Sequence, residues 1–219
     1  MAALWPDTSD RDHRIAEFVR FPPVLAKFRG ASPNIAVQIT TGNCQVLRQM
    51  VTTGLLDAAI TVERLDAEPA TDQAVSRPLG RTELVFVSEG LWPAPMEKRS
   101  LAEHRILLPD PDGALNRVVA NWFGPTCRAR TESAGSVDGV KQGVQAGNAI
   151  GVLPSYSVAE DIKAGALSKI ALAVEPPDAG IELTMRSRLS TDPALDVLLE
   201  LLEAEISSLA ILTSSPRNS

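Results

Sequence analysis

The stretch "TTGNCQVLRQMVTTGLLDAAITVERLD", residues 40–66, decides how the chain folds. Its second half, "LLDAAITV", is a short apolar run bounded by polar residues, the pattern of a strand buried on both faces. Its first half places Val46, Leu47, Met50 and Val51 on one helical face, with Gly54 where a helix-ending residue belongs. Just upstream, "NIAVQIT" alternates Ile35, Val37 and Ile39 against Asn34, Ala36 and Gln38, as a strand does. Strand, helix and strand within about 30 residues make a βαβ unit with a parallel sheet.

Working outward, the same alternation continues. Before it, Phe21, Leu25 and Phe28 recur at helical spacing behind Pro22-Pro23, and Gly30 is read as the stop. After it, "AEPATDQAVSRPLGRT" is polar and carries two prolines, whereas "ELVFVSEGL" and "RILLP" read as strands. A helix follows "DPDG" with Leu115, Val118, Val119 and Trp122 inward, and "RARTESAGS" reads as a strand and small-residue turn. The next helix is capped by Ser136 and closed by Gly147, then "AIGVLP" is a strand ended by Pro154. "IELTMRSR" is a further strand, and Asp192 and Pro193 start a long amphipathic helix. Alternating β and α throughout predicts an α/β fold.

Composition narrows the functions. The 219 residues are 44% apolar and 22% charged, ordinary for a globular protein, and only 4% aromatic. Net charge is −6 with a pI near 5.0 and no basic stripe, which argues against gripping a phosphate backbone. Cys44 and Cys127 fit no CxxC spacing and read as reduced thiols; two histidines without HExxH predict no metal site. No GxSxG, GxGxxG or GxxxxGK[ST] is present, so the chain is not expected to be an enzyme or to hold a cofactor. "MAALWPDTSDRDHR" lacks the features of a signal peptide and no apolar run is long enough to span a bilayer, so a cytoplasmic protein is expected.

Three stretches together resemble the effector-binding domain of LysR-type transcriptional regulators. In "FPPVLAKFRGASPNIAVQITTGNCQVLRQMVTTGLLDAAIT", residues Phe28, Pro33, Leu47, Gly54, Leu56, Asp57, Ala59 and Ile60 fall on the family's pattern. "RTELVFVSEGLWP" looks like its entry into a second subdomain. "SVDGVKQGVQAGNAIGVLPSY" is similar to its V-x-x-G-x-G-I pattern at Val144, Gly147, Ile150 and Pro154, with Ala149 where a second glycine is common. The resemblance implies two Rossmann-like subdomains joined by two crossover strands, like type II periplasmic binding proteins. Subdomain I would comprise residues 1–80 plus 181–219, subdomain II residues 81–180, with crossings near Arg81–Leu84 and Ile181–Thr184. The first fourteen or so residues read as disordered, and the family's first strand looks shortened to "HRIAEFVR".

The implied role is binding a small, often anionic or aromatic metabolite between the lobes, in a homodimer. The family's winged helix-turn-helix has no counterpart in the sequence, so no DNA contact is expected from these residues. A stand-alone solute-binding protein and a truncated remnant are the alternatives. Ligands of open α/β sheets sit at the carboxyl ends of strands, where helices begin. That rule selects Thr40, Thr41, Gly42 and Asn43 after one strand, Asp110 and Gly113 after another, and Ser136 and Val137 before a third helix. The Thr41 and Ser136 hydroxyls either cap their own helices or meet an anion; Thr61 either lines the crevice or simply ends its strand. Asp110 and Asp112 read as turn or cap residues that would repel an anion, and Pro154 closes the set at its strand's end.

Overall fold

The computed structural model describes residues 12–17, 22–63, 74–92, 95–110, 113–125, 129–190 and 193–213. Among these, the strands divide into two five-stranded sheets. The first half of the chain gives β1 (Asp12–Glu17), α1 (Pro22–Ala31), β2 (Ala36–Thr41), α2 (Cys44–Thr52), β3 (Ala58–Glu63) and β4 (Ala74–Thr82). Then come β5 (Leu84–Ser88), α3 (Lys98–Ala102), β6 (Arg105–Leu108), α4 (Ala114–Phe123), β7 (Arg130–Ser133), α5 (Val137–Gln145), β8 (Ile150–Pro154), α6 (Ser155–Lys163) and β9 (Ser168–Lys169). The chain returns through β10 (Ala179–Arg186) and a 3-10 turn to α7 (Pro193–Thr213).

The first sheet runs β2-β1-β3-β10-β4, with β1, β2 and β3 parallel and β10 antiparallel to both β3 and β4. The second runs β7-β6-β8-β5-β9, with β6, β7 and β8 parallel and β5 antiparallel to β8 and β9. This is the expected α/β architecture: two mixed sheets with a parallel βαβ nucleus in each. The carboxyl ends of β1, β2 and β3 lie at one edge of the first sheet, and those of β6, β7 and β8 at one edge of the second.

Each sheet has its own core, and side chains cross between the two. Phe28, Ile60, Leu183, Leu198 and Leu202 pack together on the first sheet, and Tyr156 of α6 joins them. Leu84, Phe86, Trp122, Ile150 and Val152 pack on the second, and Val62 of β3 joins them. The long helix α7 lies close on β4 because Gly80 has no side chain. A Cβ there would sit 2.7 Å from the Ile206 methyl.

Several local expectations change. The polar stretch before residue 83, given no element by the sequence, ends in β4, an edge strand. Pro78 is tolerated there because it faces Glu182 at a break in the β4–β10 register, where no regular ladder bond is lost. The first strand is not lost. β1 is six residues long, as long as β2, and pairs with both β2 and β3, so residues 12–14 belong to the sheet rather than to a disordered tail. Gly30 lies inside α1, which runs on to Ala31. Ile181–Thr184 is paired on both sides within the first sheet, and the chain passes between sheets at Glu83 and in the segment between β9 and β10. Gly54 and Gly147 do end α2 and α5, at φ 79° and 82°. Asp112, Cys127 and Asp192 lie outside the described residues.

Candidate functional site

The helix α2 begins two residues later than a cap at Thr41 would give. Thr40 and Thr41 are the exposed last residues of β2, paired in register with Ala16 and Glu17, so Thr41 does not cap the helix. The cap is Asn43, whose Oδ1 accepts from the backbone N–H groups of Gln45, at 2.8 Å, and Val46, at 3.3 Å. Asparagine is among the best capping residues, and a planar amide offers a second arm. That arm, Nδ2, donates to the Asp110 carboxylate at the end of β6, so the head of α2 touches the second sheet directly. Gly42 lets the chain turn over Leu47, whose Cδ2 is 3.1 Å from where a Cβ would sit.

Behind Asn43 lies a polar floor. On β3, Ala59, Thr61 and Glu63 point to the face covered by α2, since strand residues alternate and Ala59 packs with Leu47 and Val51. Thr61 is fully buried, and its hydroxyl has no hydrogen-bond partner. Glu182 stands opposite Thr61 across the β3–β10 ladder and so shares its face. Arg48, four residues after Cys44 and therefore one helical turn along, bonds Glu63 at 3.2 Å and reaches Glu182 at 4.0 Å. Two carboxylates thus share one guanidinium. Glu63 is shielded to 5% exposure, where an unpaired charge would be costly, so the Arg48 contact is what permits it.

The Cys44 thiol reports this environment. A cysteine in the first turn of a helix is usually acidified by the helix N-terminus. Here burial pushes its pKa up to about 11, and the Glu63 and Asp110 carboxylates push the same way, against a lowering contact with the Val62 backbone. Cys44 is a free thiol.

The remaining predicted residues divide. Gly113 starts α4 with no side chain of its own to cap it, and a Cβ there would come within 2.8 Å of the Asp110 carboxylate; that carboxylate therefore folds over its own loop. Ser136 is the cap of α5, accepting from the Gly139 N–H at 3.0 Å. The Ala134 N–H donates to the Leu108 carbonyl, which puts the turn before Ser136 beside the segment leading to Asp110. Val137 packs into the core of the second sheet. Pro154 is buried opposite Leu84, and next to it Ser155 buries a hydroxyl with no partner. The structure therefore brings Asn43 to Asp110, with Gly113 against the Asp110 carboxylate, while Thr61 lies under α2 on β3 and Ser136 caps a helix of its own. Thr40 and Thr41 flank Asn43 from an exposed strand. Cys44, Arg48, Glu63 and Glu182 complete the floor and were not singled out in the sequence. A charge closing an otherwise apolar strand, "DAAITVE", was the available sign.

Asp57, by contrast, is structural. It is buried, pairs with Arg188 at 3.2 Å and Arg186 at 3.9 Å, and edges an apolar hollow under α1 and α7 lined by Phe28, Val37 and Leu198. No group of three or more metal-ligating side chains occurs among the described residues, and no described helix is long and apolar enough to cross a membrane.

Comparison with known proteins supplies a context for this junction. A family model described as the LysR substrate binding domain matches residues 14–207. The chain is 27% identical over 165 residues to the HTH-type transcriptional regulator CfxR of Cupriavidus necator, which covers 71% of this chain. It spans 50% of that relative's length. Among solved structures, the cofactor-binding domain of the Cbl transcriptional regulator superposes with a TM-score of 0.74 at 19% identity, covering 98% of this chain and 99% of that one. HinK, a LysR family transcriptional regulator from Pseudomonas aeruginosa, gives 0.73 at 21% identity, covering 93% of this chain and 73% of its own. The regulatory domain of MexT, a transcriptional activator of the same organism, gives 0.73 at 18%, covering 88% and 98%.

Proposed function

The chain belongs to the LysR substrate binding domain family, and from that premise we propose that it is the effector-sensing part of a transcriptional regulator. A small metabolite would bind where the carboxyl ends of the two sheets meet, and the bound state would differ from the free one in how the sheets sit together. The observation that carries this is the Asn43–Asp110 bond between the head of α2 and the second sheet, together with the unpartnered hydroxyl of Thr61, fully buried on the strand that α2 covers. A buried hydroxyl without a partner costs free energy, and a ligand that supplies one recovers it.

In this reading Asn43, Thr61 and Asp110 are the contact residues. Thr40, Thr41, Gly42, Gly113 and Ser136 shape the rim, and Val137 and Pro154 hold it from behind. Residues up to about 80 and after about 180 form one lobe and those between form the other, the division implied by the two separate sheets. The role is binding rather than catalysis, in the cytoplasm, as a homodimer that does not contact DNA through these residues.

The test is a thermal melt against a broad metabolite panel, since a ligand of the folded state raises the melting temperature with the logarithm of its concentration over Kd. At least one compound should stabilise the protein and lose its effect in Asn43→Ala and Asp110→Ala. Failure of every compound would defeat the reading. Analytical ultracentrifugation should show a dimer, and a gel shift with the 219 residues should show no sequence-specific DNA complex.

A further inference from the structure

The two sheets meet through contacts of different kinds. Val62 of β3 enters the apolar core of the second sheet, and Tyr156 of α6 that of the first. At a polar contact, the Asn43 amide donates to the Asp110 carboxylate. Their places in the topology differ as well. The chain crosses between sheets at Glu83, next to β4, and again in the segment that enters β10. Val62 pairs with Ile181 of β10, and Tyr156 comes two residues after Pro154, which pairs with Leu84, so both wedges lie near the crossings. Asn43 does not. It follows β2, the edge of the first sheet opposite β4, and Asp110 follows β6, two strands from β5. Asn43 thus stands three to four strand spacings, about 14–19 Å, from the crossings. At that distance a turn of about 5° moves it by more than about 1 Å, enough to carry a hydrogen bond out of range, while the wedges shift less.

We propose that Asn43 is a latch between the lobes: its bond to Asp110 holds the sheets together on the side away from the crossings, and when that bond breaks the sheets turn about the crossings as a hinge. This deepens the effector reading and rests on it, giving its two arrangements of the sheets one contact that distinguishes them. The division of labour within one amide suits Asn43 to the task. Its Oδ1 caps α2 by accepting from Gln45 and Val46, so losing the Nδ2 bond leaves the helix capped. Asp110 has a further interaction besides Asn43, and the latch does not require that carboxylate to lack other partners. The next residue reports the state. The Cys44 thiol meets the Val62 backbone on β3 and lies in the field of Asp110 on the second sheet, so turning the sheets apart uncovers it.

The test uses the full chain in a Cys127→Ala background. Cys44 is modified with an uncharged pyridyl disulfide, and each rate is divided by the thiolate fraction from that variant's own ultraviolet titration, which removes effects of charge on the thiol. Asn43→Ser keeps a capping side chain and loses the amide donor, and should raise the corrected rate about ten-fold, the weight of one hydrogen bond to a charged group. Asn43→Asp also keeps the cap but sets carboxylate against carboxylate, and should raise it at least as much. Combining Asn43→Asp with Asp110→Asn exchanges donor and acceptor at unchanged net charge, and should return the rate toward the parent's. Equal rates in the parent and both single variants overturn the latch, as does an exchange that rescues nothing, and so does a thiol that the reagent reaches in none of them. Amide exchange at Gln45 and Val46 that rises with the thiol rate in Asn43→Ser assigns the effect to the cap and overturns it too. Those results leave the effector reading standing. A latch that behaves as expected, with no stabilising compound in the metabolite panel, strikes the effector reading instead.

Discussion

Helices α2 and α5 are built alike. Each has nine residues, each is opened by a side-chain cap, Asn43 or Ser136, and each ends in a glycine of left-handed conformation before a buried strand. What lies beneath them differs. Under α5, Val140 and Val144 press on Gly151, Val85, Val87 and Leu153. Under α2, the apolar contact of Leu47 and Val51 with Ala59 gives way, toward the cap, to Thr61, Glu63, Glu182 and Arg48. The same strand–helix–strand unit serves as packing in one sheet and as a polar floor in the other. The difference comes from a few side chains at the carboxyl end of one strand, which is where such folds place their ligands.

Substitutions can break that contrast in order of expected effect. Leu47→Ala removes the apolar half of the α2 contact and should destabilise by about 2–5 kcal/mol in urea titrations. A smaller loss would mean that the polar floor, not the leucine, holds the helix. Next is the thiol. With its pKa raised from 9.0 to about 11, Cys44 stays protonated through neutral pH. Iodoacetamide at pH 8 should modify it about 100-fold more slowly than a free cysteine, with the rate still climbing above pH 10. Early levelling of that rate would show that burial, with the Glu63 and Asp110 carboxylates behind it, raises the thiol's pKa less than this. Gly151→Ala places a methyl 2.7 Å from Val140 and 2.9 Å from Val144, so it should cost about 1–3 kcal/mol through overpacking under α5.

The caps sharpen the comparison further. Ser136→Ala should cost about 1 kcal/mol. Asn43→Ala should cost about 2 kcal/mol, because it also strips a donor from Asp110. Equal losses would deny the Asn43–Asp110 bond any weight in solution. The smallest effect is a gain: Thr61→Val removes a buried unpartnered hydroxyl at nearly constant shape and should stabilise by up to about 1 kcal/mol while weakening any ligand.

Much of this was legible in the residues themselves. The apolar run ending at Val62, the amphipathic face of α2 and the glycines at 54 and 147 each obey a local rule, and each forms as the rule says. The capping position failed by two residues because Thr41 and Asn43 are both good caps, and the choice between them rests on how far β1 carries β2 forward. β4 was hidden because its strand character comes from pairing with β10, which supplies the hydrogen bonds that its own polar, proline-bearing sequence does not advertise. Of the site, the strand ends were predictable by topology. The ion group was not: Arg48, Glu63 and Glu182 come from three separate elements and meet only after the sheet forms.

The exchange of Val62 and Tyr156 between the two cores has a consequence for how the molecule comes apart. Neither half keeps a complete interior when separated, because each borrows a wedge from its neighbour. Heating should therefore melt the whole in a single cooperative step rather than in two. An excised half, cut at Glu83 and in the segment leading into β10, would leave an apolar socket open to water and tend to clump.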